Sequence, residues 1–205
     1  MFDADSCSIL IVDQVDPLGD AKYRSNKESS LQTEVVVSDN LISKKEVRAA
    51  TNAWTDALVS ISQTYKEQGF DAAEDLAGDV IDGAYAYQRG AVAFKPTWAF
   101  GDTTFRTTRD GALSYFVGGN DNFDDPGFAI GNKPDPVTGQ RSSWDDAWFD
   151  RSVMRLDGNT ATVQGFLYTK DEAGNLSYVD KTWGYQKDSD GTVRIVLHHS
   201  STPYE

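Results

Sequence analysis

The chain has 205 residues, enough for one domain plus an arm at roughly 100–200 residues per domain. Hydrophobic residues make up 39% and aromatics 12%, which supplies a core and excludes wholesale disorder. With 19 basic against 32 acidic side chains the net charge is -13 and the isoelectric point near 4.5, so neither nucleic acid nor an anionic membrane is expected as a partner.

The single Cys7 excludes an intrachain disulfide framework. The longest apolar run near the start, Ile9-Leu10-Ile11-Val12, falls far short of the ~18 residues of a membrane span. Met1-Phe2-Asp3-Ala4-Asp5 has neither the basic start of a secretory signal nor the acid-poor look of a transit peptide. The compartment is left open between cytoplasm and plastid stroma.

Residues 1–42 read as an arm or strand extension, with a β-branched run at Glu34-Val35-Val36-Val37. Residues 43–205 read as the domain proper. Ser43-Lys44-Lys45-Glu46 is a capping box, and Val47, Ala50, Trp54, Ala57, Leu58, Ile61 and Tyr65 follow at helical spacing up to Gly69. A second box, Asp71-Ala72-Ala73-Glu74, predicts a helix carrying Leu76, Val80, Ile81 and Ala84 and ending by Gln88-Arg89-Gly90. A short strand over 91–94 runs into Lys95-Pro96-Thr97. A third helix starts near Thr107-Thr108-Arg109-Asp110 and is stopped by Gly118-Gly119, and residues 121–140 are loop. Turn signals at Asp157-Gly158-Asn159, 171–175 and Asp188-Ser189-Asp190-Gly191 then predict four antiparallel strands over 144–156, 160–169, 176–187 and 192–201. Helices first and a meander second mean α+β, with N-terminal helices packed on a strongly curved antiparallel sheet. Aromatics along that meander, Trp148, Phe166, Tyr178, Trp183 and Tyr185, outnumber what one concave face can use. The outer face is therefore expected to form a homodimer.

The chemistry is narrowed first by what is missing. There is no phosphate-binding G-x-x-x-x-G-K-[ST], no dinucleotide G-x-G-x-x-G, no G-x-S-x-G, no C-x-x-C and no H-E-x-x-H. The two histidines, His198 and His199, are adjacent on a strand and point to opposite faces, so they cannot converge on one zinc ion. The turn from Asp188 opens like a calcium loop, but its twelfth position is His199 instead of the bidentate Glu. What remains is Leu197-His198-His199-Ser200-Ser201, which puts one His and one Ser on each face of the last strand. An imidazole beside a hydroxyl can shuttle a proton and orient a water. One face carries Val193, Ile195, Leu197, His199 and Ser201, and the other Arg194, Val196, His198 and Ser200. The first set is the more apolar, so hydropathy alone would turn it toward the core.

Four blocks taken in order carry a family likeness: Phe94-Lys95-Pro96-Thr97, the run Ala112-Leu113-Ser114-Tyr115-Phe116-Val117-Gly118-Gly119, Gly127-Phe128-Ala129-Ile130, and His198-His199-Ser200-Ser201. Together they resemble the iota-class carbonic anhydrases, in the group related to the association domain of calcium/calmodulin-dependent protein kinase II within the nuclear transport factor 2-like superfamily. The resemblance spans about 43–203. It implies a cone-shaped domain with a funnel between helix and sheet. It also implies reversible hydration of CO2 to bicarbonate and a proton, with CO2 and bicarbonate as the small-molecule partners. The catalytic residues it implies are Thr97, Tyr115, His198 and Ser200. Phe94, Trp98 and Phe116, with Trp54, are expected as walls that hold CO2, and His199 and Ser201 as further substrate-binding positions. Metal-free and manganese-dependent members both occur, and the ligand arithmetic above favours the type without a cofactor. Two other readings come from the same superfamily: an oligomerising association module without catalysis, and an isomerase or cyclase on a small hydrophobic substrate. The last needs a carboxylate base, for which Asp102 or Asp150 could serve.

Overall fold

The computed structural model describes residues 40–203, so the strand expected at 34–37 lies outside the described residues. Ser43 caps the first helix as its sequence demands: its hydroxyl accepts the Glu46 main-chain N–H at 3.2 Å, and the Glu46 carboxylate accepts the Ser43 N–H at 2.8 Å. Helix α1 runs over Lys44–Gln68 and buries Val47, Trp54, Leu58 and Ile61 at spacings of three, four and seven. Gly69, at φ 90°, ends α1 and immediately caps α2, Phe70–Ala84. That conformation is open to glycine without the Cβ penalty, so two helices join through one residue. Asp71 therefore lies in the first turn of α2 and is not its cap, and the helix stops at Ala84, short of a 3-10 turn over Tyr87–Arg89. Thr108 caps α3, Arg109–Val117, by accepting the Gly111 N–H at 3.2 Å.

Five strands follow the order β1-β5-β4-β3-β2, with β1 over Ala93–Lys95, β2 over Trp144–Asp157, β3 over Thr160–Asp171, β4 over Leu176–Lys187 and β5 over Val193–Ser201. The meander β2 to β5 is antiparallel as the turn residues predict. β1 adds in parallel to β5, which makes the sheet mixed. The sheet is open, with β1 and β2 as its edges. Strand β3 shows clean alternation, burying Ala161, Val163, Leu167, Thr169 and Asp171. Register shifts between Arg151 and Val153 and between Gly184 and Tyr185 are bulges, and bulges bend the strands that carry them.

Between α3 and β2 the described residues form no helix or strand, yet Phe128, Ala129 and Ile130 are buried. The Phe128 and Ala129 N–H groups donate to Tyr115 and Phe116 carbonyls at 2.8 Å each, and Phe128 accepts the Trp144 indole N–H at 2.8 Å. A buried Arg106–Asp125 pair at 2.7 Å, with Ser114 also donating to Asp125 at 2.7 Å, pins the rest of the loop.

The structure divides the meander aromatics between the two faces of the sheet. Trp183 and Tyr185 are fully buried on the inner face, where Trp183 packs edge-on to Trp54 at 5.3 Å and the Tyr185 hydroxyl meets that of Thr51 at 3.2 Å. The outer face instead carries Trp148, Phe166 and Tyr178, which are 39%, 37% and 48% exposed, joined by Tyr168 stacked on Trp148 at 5.2 Å. Among the described residues no helix is long and apolar enough to cross a membrane.

Candidate active site

Three hydroxyls meet where β1 ends beside β5. Pro96, without an N–H, stops β1 after its parallel register has set Phe94 beside His198 and Lys95 beside His199. The next residue, Thr97, brings its hydroxyl to 2.5 Å from that of Ser200. Tyr115, in the buried half of α3, sets its phenol beside the Thr97 side chain and the main chain of Thr97 and Trp98, while burial pushes it well above the ordinary range. Lys95 donates to the Ser200 carbonyl at 3.0 Å.

Both His198 and Ser200 are about 1% exposed, and His199 is exposed on the other side of the strand. Neither of the two residue sets read from alternation faces inward as a whole. At the bulge Gly184 pairs with Leu197 but Tyr185 pairs with Ile195, so Val196 has no partner and the phase resets. The apolar Ile195 therefore shares the buried side with His198 and Ser200. His199 and Ser201 do not share that buried side. Ser201 donates to Asp180 at 3.3 Å instead.

The walls are aromatic. Phe94 stacks on His198 with ring centroids 4.2 Å apart, and Trp54 meets the imidazole edge-on at 5.6 Å. Phe116 lies 6.1 to 6.2 Å from Phe94, Tyr85 and Trp54. Trp98 closes against Tyr115 at 6.5 Å and Phe128 at 5.0 Å. Of the residues singled out from sequence, Thr97, Tyr115, His198, Ser200, Phe94, Trp98, Phe116 and Trp54 thus form one connected group.

Two members were missed. Lys181, 4% exposed in the middle of β4, lies with its amine 2.7 Å from His198 Nε2 and 3.4 Å from the Ser200 hydroxyl. Rings surround it, Trp54 at 4.8 Å and Trp183 at 5.4 Å from the nitrogen. Burial pulls its pKa down to about 7, and among the described residues no carboxylate pairs with it. A signal existed: Lys181 is in phase with Trp183 and Tyr185, so a lysine on the inner face followed once those two were turned inward. The second is Tyr85, just past α2, whose hydroxyl lies 2.7 Å from His198 Nδ1 and accepts the Trp54 indole N–H at 2.9 Å. Nothing local marks it, because its partner is 113 residues away in the chain. With Tyr85 on one side and Lys181 on the other, both imidazole nitrogens are engaged. Burial first, then the nearness of the Lys181 amine, hold the His198 pKa well below the ordinary value.

Asp102 and Asp150 are both exposed and neither is hydrogen-bonded to this group. The buried carboxylate near Tyr115 is Asp125, which is committed to Arg106 and Ser114. Among the described residues no cluster of three or more His, Cys, Asp or Glu side chains could hold a metal ion.

The family model described as metal-independent carbonic anhydrase matches residues 45–202. The metal-independent carbonic anhydrase of Nostoc sp. is 44% identical over 198 residues, covering 96% of this chain and 90% of that protein. The crystal structure of a cyanobacterial iota-carbonic anhydrase complexed with bicarbonate superposes with a TM-score of 0.74 at 47% identity, over 81% of this chain and 95% of that one. A looser likeness, TM-score 0.35 at 11% identity over 78% of this chain and 94% of the other, is to a nuclear transport factor 2-like superfamily protein from Salmonella enterica. This chain belongs to the metal-independent carbonic anhydrase family.

Proposed function

We propose that the protein catalyses the reversible hydration of CO2 to bicarbonate and a proton without a metal, in the domain formed by residues 43–205. The observation that carries this reading is the hydrogen-bonded Thr97 and Ser200 hydroxyls, with the Tyr115 phenol beside them, at the end of an aromatic-walled, carboxylate-free group. A metal enzyme makes hydroxide by lowering the pKa of bound water from about 15.7 to about 7. Here the work falls to positioned donors. Ser200 and Tyr115 hold the water against the CO2 carbon. As the carbon–oxygen bond forms, one π pair moves onto the oxygen that accepts from Thr97, and the water proton leaves along the hydroxyls toward solvent. Donors fixed on developing charge in a dry site can each supply about 3–4 kcal/mol. Phe94, Trp98, Phe116 and Trp54 give CO2 an apolar surface and keep bulk water from competing for those donors. Because Thr97 and Ser200 already satisfy each other at 2.5 Å, substrate has to enter between them and take over that hydrogen bond.

The isomerase reading loses its support with the exposure of Asp102 and Asp150. We also infer a homodimer through the outer face of the sheet, where Trp148, Phe166, Tyr168 and Tyr178 make one cluster of touching rings. The deciding experiment is stopped-flow CO2 hydration by protein stripped with a chelator. Undiminished turnover is expected. Activity that vanishes on stripping and returns with one added ion would overturn the metal-free mechanism.

A further inference from the structure

Tyr85 has one hydrogen to donate and two polar neighbours. The first, the Trp54 indole nitrogen at 2.9 Å, is a donor only and cannot take it. The second is His198 Nδ1 at 2.7 Å. A buried hydroxyl that fails to donate costs about 1–3 kcal/mol, so the Tyr85 hydrogen goes to Nδ1. That nitrogen therefore carries no proton, and the neutral imidazole carries its proton on Nε2. Nε2 in turn lies 2.7 Å from the Lys181 amine. For this contact to be a hydrogen bond, Nε2–H must donate and the amine must offer its lone pair, which an ammonium does not have.

We propose that Tyr85 is a positioning residue of the hydration site: it locks His198 as the Nε2–H tautomer, which holds Lys181 as a neutral amine donating to Ser200 and leaves the Ser200 hydrogen for the substrate. The inference deepens the CO2-hydration reading and rests on it for its functional consequence. Every hydrogen bond in the chain then points the same way, from Trp54 to Tyr85, His198, Lys181 and Ser200 and on to Thr97. With substrate absent, Ser200 donates to Thr97; with substrate between them, the same hydrogen meets the reacting oxygens.

The surroundings agree with a neutral amine. From β5, His198 and Ser200 face the Lys181 nitrogen, with Tyr85 beyond His198; α1 contributes the Trp54 ring, the loop after α3 the Phe128 ring and β4 itself the Trp183 ring. None of these is a carboxylate that would favour an ammonium. Burial independently draws the Lys181 pKa down, in the same direction as the tautomer argument.

The test reads the tautomer directly. With only two histidines in the chain, 15N-histidine NMR resolves His198 from His199. The expected spectrum has an unprotonated Nδ1 and a protonated Nε2 on His198 between about pH 8 and 9, where Lys181 is a neutral amine. Tyr85→Phe keeps the ring and removes the hydroxyl. In that variant the two tautomers should mix, the Lys181 titration followed by 13Cε NMR should move upward, and kcat for hydration should fall about five- to tenfold with KM nearly unchanged. A wild-type His198 protonated on Nδ1, or a Lys181 ammonium at pH 9, would overturn the proposal whether or not Tyr85→Phe folds. Unchanged kcat in a folded Tyr85→Phe protein would overturn its functional half. A correct tautomer in a protein that hydrates no CO2 would instead refute the hydration reading and leave the hydrogen-bond order standing.

Discussion

A lysine that folds into an apolar box as a neutral amine leaves a mark on stability as well as on chemistry. In the unfolded chain Lys181 titrates at the ordinary 10.5, and in the fold at about 7. Its folded pKa is depressed, so between these values the unfolded state binds a proton that the folded state refuses. Stability must then rise with pH through that window and level off below it. With the two pKa values given, linkage amounts to a gain of about 2 kcal/mol between pH 7 and 9, from a limiting slope of roughly 1.4 kcal/mol per pH unit. Other groups titrate too: Lys95 is lowered by partial burial, and the buried Tyr85, Tyr115 and Tyr185 are raised, which costs stability only near pH 10 and above. The comparison with Lys181→Met isolates the one term. Urea unfolding followed by the fluorescence of buried Trp54 and Trp183, at fixed protein concentration and at pH 7, 8 and 9, supplies the free energies. The offset between the two proteins at any one pH includes the lost acceptor for His198 Nε2–H and is not diagnostic. The slope of their difference is. A difference constant to within roughly 0.5 kcal/mol across that range would mean that Lys181 keeps its proton in the fold, and the reasoning above would fail.

Ser200→Ala and Tyr115→Phe should each lower CO2 hydration by ~100-fold with the fold intact, whereas Ser201→Ala, on the other face, should be nearly silent in the same stopped-flow assay. Were Ser201→Ala the damaging change, the inward assignment of Ser200 would be wrong. Gly165→Ala should destabilise by ~3 kcal/mol or more in thermal unfolding, because a Cβ there would stand 2.0 Å from the Asp150 carbonyl oxygen across the β2 bulge. A tolerated alanine would show that the two strands can part at no cost. Tyr178→Glu, on the outer aromatic cluster, should convert a dimer to a monomer by light scattering without loss of secondary structure; an unchanged mass would move the interface elsewhere.

The local signals in this chain were sufficient wherever local physics decides. Ser43 with Glu46, Thr108 with its following turn, and the Asp-Gly turns after β2 and before β5 each satisfy their own backbone groups within a few residues, so helix starts and hairpins were legible. Family blocks carried Thr97, Tyr115, His198 and Ser200, because motif residues keep their order in the chain whatever brings them together. Facing was another matter. Strict alternation offered two mutually exclusive sets along β5, and the structure takes part of each, since the unpaired Val196 resets the phase between Ile195 and His198. A bulge depends on the neighbouring strand, here Gly184 and Tyr185, and one strand read alone does not contain it. The same blindness left the facing of Trp183 and Tyr185 unassigned and so hid Lys181, whose inward position follows from theirs. Tyr85 is the limiting case. Its role exists only because α2 ends where β5 passes, 113 residues later, and only the tertiary fold sets a phenol against that imidazole. Sequence determined which chemistry was present, a set of hydroxyls with one histidine and no converging metal ligands. The packing of α1, α2 and β4 around β5 decided which proton each of those groups carries, because burial and hydrogen-bond direction are properties of the assembled neighbours.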